Sequence, residues 1–182
     1  KIEFTMFNGN FDELISSDHN GSLRNYWTKI FLLYNLMNTR DDIDWFVCLD
    51  GDIVFCDFNF DIKQIISMSD KHKEFLVCCL DSSSPDSYWN INCGSMIVKN
   101  TNYMKSVIEN LLRIGYDLNF DSYEQVVIQN ILRKNILNIR EKTEIFPCQV
   151  CKSAIPHKAS YDKMKELKIN VPDEWSEKCS KC

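Results

Sequence analysis

The sequence predicts an α/β layered fold, a mainly parallel sheet flanked by helices, and two patterns predict it. Short continuous apolar runs at 45–49, 75–80 and 95–99 read as buried strands rich in Val, Ile, Phe, Trp and Cys. Between and after them lie stretches whose apolar residues recur at helical spacing, and that alternation is what helices packed on a sheet require. At 182 residues, 45% hydrophobic and 26% charged, the chain can bury one sizeable core. The expected organisation is one main domain over residues 1–147 followed by a Cys-rich segment over 148–182.

In chain order, residues 2–7 form a short strand candidate ending in the turn signal Asn8-Gly9-Asn10. The turn after a first strand commonly receives a ligand in such folds, which makes Asn8 a binding candidate. Over 24–38, Trp27, Ile30, Phe31, Tyr34 and Met37 share one helical face, with Lys29 and Asn35 on the polar side. Asp41 and Asp42 belong to the solvated turn that leads into the strand at Trp45. Phe58, Phe60, Ile62, Ile65 and Ile66 suggest a loop closing into a short helix, and Asp81-Ser82-Ser83-Ser84-Pro85 ends the second strand. After the third strand, Asn100 or Thr101 is placed to cap a helix that buries Met104, Val107, Ile108, Leu111 and Leu112. A last helix begins near Ser122 and carries Glu124 and Gln125 ahead of the stripe Val127, Ile128, Ile131 and Leu132.

A net charge of −5 leaves no basic footprint for nucleic acid or an anionic membrane. No apolar run approaches the roughly 20 residues of a membrane span, and no signal peptide is visible; the chain starts at Lys1, so upstream sequence can be missing. Of the nine cysteines, Cys48, Cys56, Cys78, Cys79 and Cys93 look like buried free thiols, which favours a reduced intracellular compartment, with the Golgi lumen as the alternative. Cys148-x-x-Cys151 and Cys179-x-x-Cys182 are paired knuckles suited to tetrahedral thiolate coordination of a structural Zn²⁺, with disulfides or free thiols as alternatives.

The chemistry concentrates at Leu49-Asp50-Gly51-Asp52-Ile53-Val54, where a buried strand ends in two carboxylates separated by one glycine. Unpaired, each buried acid costs several kcal/mol, so a cation is expected to hold both, and the glycine admits a close ligand. The same residues satisfy the Asp-x-Asp-x-Val pattern of haloacid-dehalogenase-type phosphatases, with Asp50 as nucleophile. That family places the motif on its first strand, whereas here residues 1–44, with a strand candidate of their own, precede it. A non-catalytic zinc-binding module is a further alternative.

Taken in order, that segment, then Asn92-Cys93-Gly94-Ser95-Met96-Ile97-Val98-Lys99-Asn100, then Tyr123-Glu124-Gln125, resembles the GT-A glycosyltransferases of the retaining family-eight type. Trp27-Thr28-Lys29 and Glu124-Gln125 are also similar to the galactosyl- and mannosyltransferase family that includes plant xylosyltransferases. The resemblance implies a GT-A nucleotide-diphospho-sugar transferase fold. It implies metal-dependent transfer of a hexose or pentose from a UDP-sugar donor to a hydroxyl of a glycan or glycoconjugate acceptor, with retention.

Residue by residue, the resemblance implies that Asp50 touches donor ribose and metal and that Asp52 ligates the metal, Mn²⁺ or Mg²⁺. Asn92 and Glu124 would hydrogen-bond the donor sugar, Gln125 would lie beneath the anomeric carbon, and Lys29 would stand near the donor. His157 would complete the metal site and Lys163, six residues on, would bind the pyrophosphate. Cys93 replaces the family's Ala, Ser160 its Gly, and Gln129 a common Asn. Each role has a plainer counterpart: Ser122-x-x-Gln125 is also a capping box, Asn92 also a turn residue, Lys29 also a solvated cation and His157 also a surface side chain.

Overall fold

The computed structural model describes residues 24–50, 61–79 and 90–146. Among them run helix α1 (Thr28–Thr39) after a 3-10 turn (Arg24–Trp27), strand β1 (Trp45–Leu49), helix α2 (Ile62–Met68), strands β2 (Phe75–Cys79) and β3 (Ile91–Lys99), helices α3 (Asn102–Asp117), α4 (Glu124–Lys134) and α5 (Ile139–Lys142), and strand β4 (Thr143–Phe146). The chain divides into two compact units. Their described parts are residues 24–46 with 99–139, and residues 47–50, 61–79, 90–98 and 140–146.

The first unit is helical. Trp27, Ile30, Leu33 and Met37 of the α1 segment are buried, as are Met104, Val107, Ile108 and Leu111 of α3 and Val127, Ile128, Ile131 and Leu132 of α4. The α4 stripe is the one expected from the helical spacing; in α3 Leu112 of the expected face is only half-buried, and in α1 Leu33 is buried while the expected Phe31 and Tyr34 are half-buried. Thr101 caps α3, its hydroxyl accepting the Met104 N–H at 3.2 Å. Asn100 works elsewhere, its Nδ2 donating to the carbonyls of Arg40 (3.0 Å) and Ile43 (2.9 Å) and so tying the turn before β1 to the end of β3. In that turn Asp42 pairs with Arg40 and Asp41 with Lys105, both carboxylates remaining exposed as expected.

Trp27 is the anchor of this unit. Fully buried, it meets Phe120 edge-to-face at 5.4 Å, and its indole Nε1–H donates to the Ser122 carbonyl at 2.8 Å. Phe120 adopts φ 54°, in the left-handed region that a bulky residue rarely takes. That conformation turns the chain from α3 into α4 while its ring fills the space beside Trp27 and Phe31. Gly115 admits this packing: a Cβ there would lie 2.7 Å from two atoms of the Trp27 ring.

The sheet has the order β1-β3-β2-β4. β2 pairs antiparallel with β3 and parallel with β4. β1 runs antiparallel to β3: Asn100 N–H donates to the Asp44 carbonyl and Asp50 N–H to the Gly94 carbonyl, residue numbers rising on one strand as they fall on the other. The described sheet is therefore mixed, which corrects the expectation of a mainly parallel one. A parallel crossover needs a dozen or more residues, usually a helix, and Asp81-Ser82-Ser83-Ser84-Pro85 between β2 and β3 has no helical pattern. β4 escaped the sequence reading; it is four residues long and takes its place by parallel pairing with β2 and by the Lys142–Glu74 ion pair at 3.0 Å.

Cys48 and Cys93 stand outside any disulfide, as expected; Cys78 is disulfide-bonded, which corrects the free-thiol reading there. No helix of the described residues is long and apolar enough to cross a membrane.

Candidate active site

In the sheet unit, β1 delivers Asp50 to the flank of β3. Asp50 N–H donates to the Gly94 carbonyl at 2.8 Å, so the acid continues the strand pairing by one residue. On β3, Gly94 N–H donates to Asn92 Oδ1 at 2.7 Å. The β2–β3 register explains why this local bond forms: Val77 pairs with Met96 and Cys78 with Asn92, so Cys93, Gly94 and Ser95 are the extra residues of a bulge. Bulges free a stretch of strand from its ladder and re-aim its side chains.

Gly94 is required by close approach. A Cβ at that position would lie 2.9 Å from Asn92 Oδ1 and 3.0 Å from Asp50 Oδ2. Two side-chain oxygens, one from each strand, therefore converge over a backbone without a side chain. Such a cradle of oxygen donors fits a hard divalent cation such as Mn²⁺ or Mg²⁺, and it fits a polyhydroxylated ligand equally well. Asp50 and Asn92 are thus brought together, and the glycine between the functional residue types has a physical reason.

In the helical unit, Lys29 of α1 meets Glu124 of α4, Nζ to Oε1 at 2.8 Å. Glu124 is only 4% exposed, and its other oxygen, Oε2, is buried without a hydrogen-bond partner among the described residues. A carboxylate costs several kcal/mol to bury; the Lys29 ammonium and the positive end of α4 offset this at one oxygen, since Glu124 is the first residue of the helix. The solvated alternative for Lys29 is thereby excluded. The Trp27–Ser122 hydrogen bond holds both partners in place, Trp27 preceding α1 and Ser122 preceding α4.

Gln125 follows Glu124 in the first turn and is half-buried. The capping-box alternative is not realised: the N-cap is Tyr123, with no side-chain cap bond, so Ser122 lies one residue too early for the pattern. The buried Lys29–Glu124 pair is what sequence reasoning missed, because nothing in either local pattern joins residues 95 positions apart.

Asn8, Asp52, His157 and Lys163 lie outside the described residues, as do Cys148, Cys151, Cys179 and Cys182 and the expected domain boundary at 148. Among the described residues no group of three or more His, Cys, Asp or Glu is placed to hold a metal ion. Asp50 is the described member of the expected metal set.

No family model matches the sequence, and no curated protein matches it. Among solved structures, the chain is similar to a glycosyltransferase involved in the glycosylation of the major capsid of PBCV-1. The identity is 15%, the TM-score 0.55, and the superposition covers 92% of this chain and 79% of that one. At that identity the likeness is one of fold: an α/β architecture with a mixed sheet, similar to that of a glycosyltransferase.

Proposed function

We propose that the chain is a metal-dependent glycosyltransferase that moves a hexose or pentose from a UDP-sugar to an acceptor hydroxyl with retention. The observation that carries this reading is the convergence of Asp50 Oδ2 and Asn92 Oδ1 over Gly94, at the end of the strand that leads into Asp52. The fold likeness to a glycosyltransferase supports it.

In this reading Asp50 and Asp52 hold Mn²⁺ or Mg²⁺, with His157 as a third ligand; the bound cation supplies Lewis acidity at the departing diphosphate. Lys163 neutralises charge that develops on the leaving group. Asn92 and Asp50 orient the donor through their oxygens, and Asn8 belongs to the same donor-binding set. Glu124 offers Oε2 to a sugar hydroxyl, which would satisfy an acceptor left unpaired among the described residues. Lys29 holds that carboxylate in place from its other oxygen, 2.8 Å away. A covalent route needs a carboxylate at the reacting carbon, and the residue assigned there is the amide Gln125, a poor nucleophile. Front-face attack, with a donor phosphate oxygen receiving the acceptor proton, follows.

The test is UDP release from a panel of UDP-hexoses and UDP-pentoses, with and without Mn²⁺, with the anomeric configuration of the product read by NMR. Metal-dependent release from at least one donor, with retention, is expected. Phosphate release from simple esters with a covalent phosphoaspartate at Asp50 would replace the proposal with a phosphatase.

A further inference from the structure

We infer that the Cys78 disulfide is a redox control on the Asp50–Asn92 cradle: the intact bond holds the bulge that aims Asn92, and its reduction loosens the hold on a ligand. Cys78 of β2 is disulfide-bonded and half-buried. Cys48 and Cys93 are free, so the bond joins Cys78 to another of the nine cysteines. Taking the ligand to be a UDP-sugar rests on the glycosyl-transfer reading; the coupling of Cys78 to Asn92 does not.

That coupling is built into the strand register. Val77 pairs with Met96 and the next residue, Cys78, pairs with Asn92, so the bulge Cys93–Ser95 closes on the Cys78–Asn92 pair. Past it the β2–β3 ladder has one more pair, Cys79 with Ile91. A ladder this short, cut off from the main one by a bulge, opens at little cost when nothing else ties it down. On its other side Cys78 pairs with Phe146, the last residue of β4. A covalent cross-link at Cys78 removes open arrangements from this strand end, and Asn92 lies directly across from it. Asn92 in turn shapes the cradle, its Oδ1 accepting the Gly94 N–H at 2.7 Å and converging with Asp50 Oδ2 over Gly94. Cys78, Asn92, Gly94 and Asp50 all belong to the sheet unit.

The reductant is a dithiol. One of its thiolates attacks a sulfur of the bond, forming a mixed disulfide and releasing the other cysteine, which takes up a proton. Its second thiol then displaces the remaining cysteine. The protein bond has gained two electrons and two protons, and the dithiol has become a disulfide. Cys78 is not sealed in the core as Cys93 is at 1% exposed, so the bond is open to this attack. Disulfides persist in oxidising compartments and are lost where thiols are kept reduced. The hold on the ligand therefore follows the compartment that the chain occupies.

The experiment compares the full chain as oxidised, after dithiothreitol, and after reoxidation, with the reductant desalted away before Mn²⁺ is added. Hydrogen exchange at the Gly94 amide is read by NMR, UDP binding with Mn²⁺ by calorimetry, and the fold by circular dichroism. Reduction is expected to speed Gly94 exchange and to weaken UDP binding, each about five- to tenfold, the worth of one neutral hydrogen bond. Both changes should reverse on reoxidation. Cys78→Ala should sit at the reduced values and ignore dithiothreitol, whereas Cys48→Ala should respond as the unaltered chain does. UDP binding indifferent to reduction, or a response that survives in Cys78→Ala, overturns the inference. So does loss of the whole far-ultraviolet spectrum on reduction, which would make the bond a staple of the fold. A Gly94 response in a chain that binds no UDP in any state would refute the donor reading while leaving the control of Asn92 in place.

Discussion

Gly94→Ala puts the cradle to a direct test. The added methyl would meet Asn92 Oδ1 at 2.9 Å and Asp50 Oδ2 at 3.0 Å, where ordinary contact begins at 3.4 Å, so each oxygen must retreat by several tenths of an ångström. Asn92 is exposed and can swing away, surrendering its 2.7 Å bond from the Gly94 N–H. A lost neutral hydrogen bond costs about 1 kcal/mol, and residual overpacking brings the penalty to about 1–3 kcal/mol. For a chain of this size that is a fall in Tm of about 2–4 °C per kcal/mol. The effect on binding should be larger than the effect on folding, because displaced oxygens no longer orient a cation or donor; losses of about 10- to 100-fold in affinity are typical when the shell around a metal is disturbed. Calorimetric titration of UDP and Mn²⁺ into the folded variant measures this, with circular dichroism to follow the melt. The double variant Asn92→Ala/Gly94→Ala should show a coupling energy of opposite sign, since one of the two obstructed atoms is gone. A variant that melts and binds UDP as the unaltered chain does would refute the cradle.

Three further expectations concern the helical unit. Gly115→Ala drives a Cβ to 2.7 Å from the rigid, fully buried Trp27 ring, and should cost about 1–3 kcal/mol in a urea melt; an unchanged midpoint would show that the Trp27 packing is softer than described. Lys29→Met leaves the Glu124 carboxylate buried and unpaired, a loss of about 3–5 kcal/mol. Adding Glu124→Gln should recover most of it, and failure to do so would place the role of Lys29 elsewhere. Gln125→Ala should cut turnover while UDP affinity and the melt stay nearly as they were, because α4 starts from Tyr123 and not from a Ser122-x-x-Gln125 box; collapse of the fold would restore the capping explanation.

The elements with long apolar stripes were legible in the sequence. Met104, Val107, Ile108 and Leu111 fixed the buried face of α3, and Val127, Ile128, Ile131 and Leu132 that of α4, because helical periodicity over three or more turns leaves one face to bury. The short continuous apolar runs at Trp45, Phe75 and Ser95 marked β1, β2 and the second half of β3, while strand direction depends on connections that carry no periodicity. At the site, residue types were legible and their partners were not. Asn92 and Gly94 could be singled out, but the bulge at Cys93–Ser95 that turns Asn92 Oδ1 onto the Gly94 N–H is a property of two strands in register. Lys29 looked like a solvated cation because its neighbours in sequence are those of a polar helix face; only the corner built on Trp27, Phe120 and Ser122 brings Glu124 to it.

The central claim is that Asp50 and Asp52 hold a divalent cation together with a diphosphate. Anomalous scattering from a crystal grown with Mn²⁺ and UDP tests it most directly. A manganese peak within coordination distance of the Asp50 and Asp52 carboxylates and the UDP phosphates is the predicted result; manganese bound elsewhere, or UDP bound with both acids turned to protein cations, would contradict it.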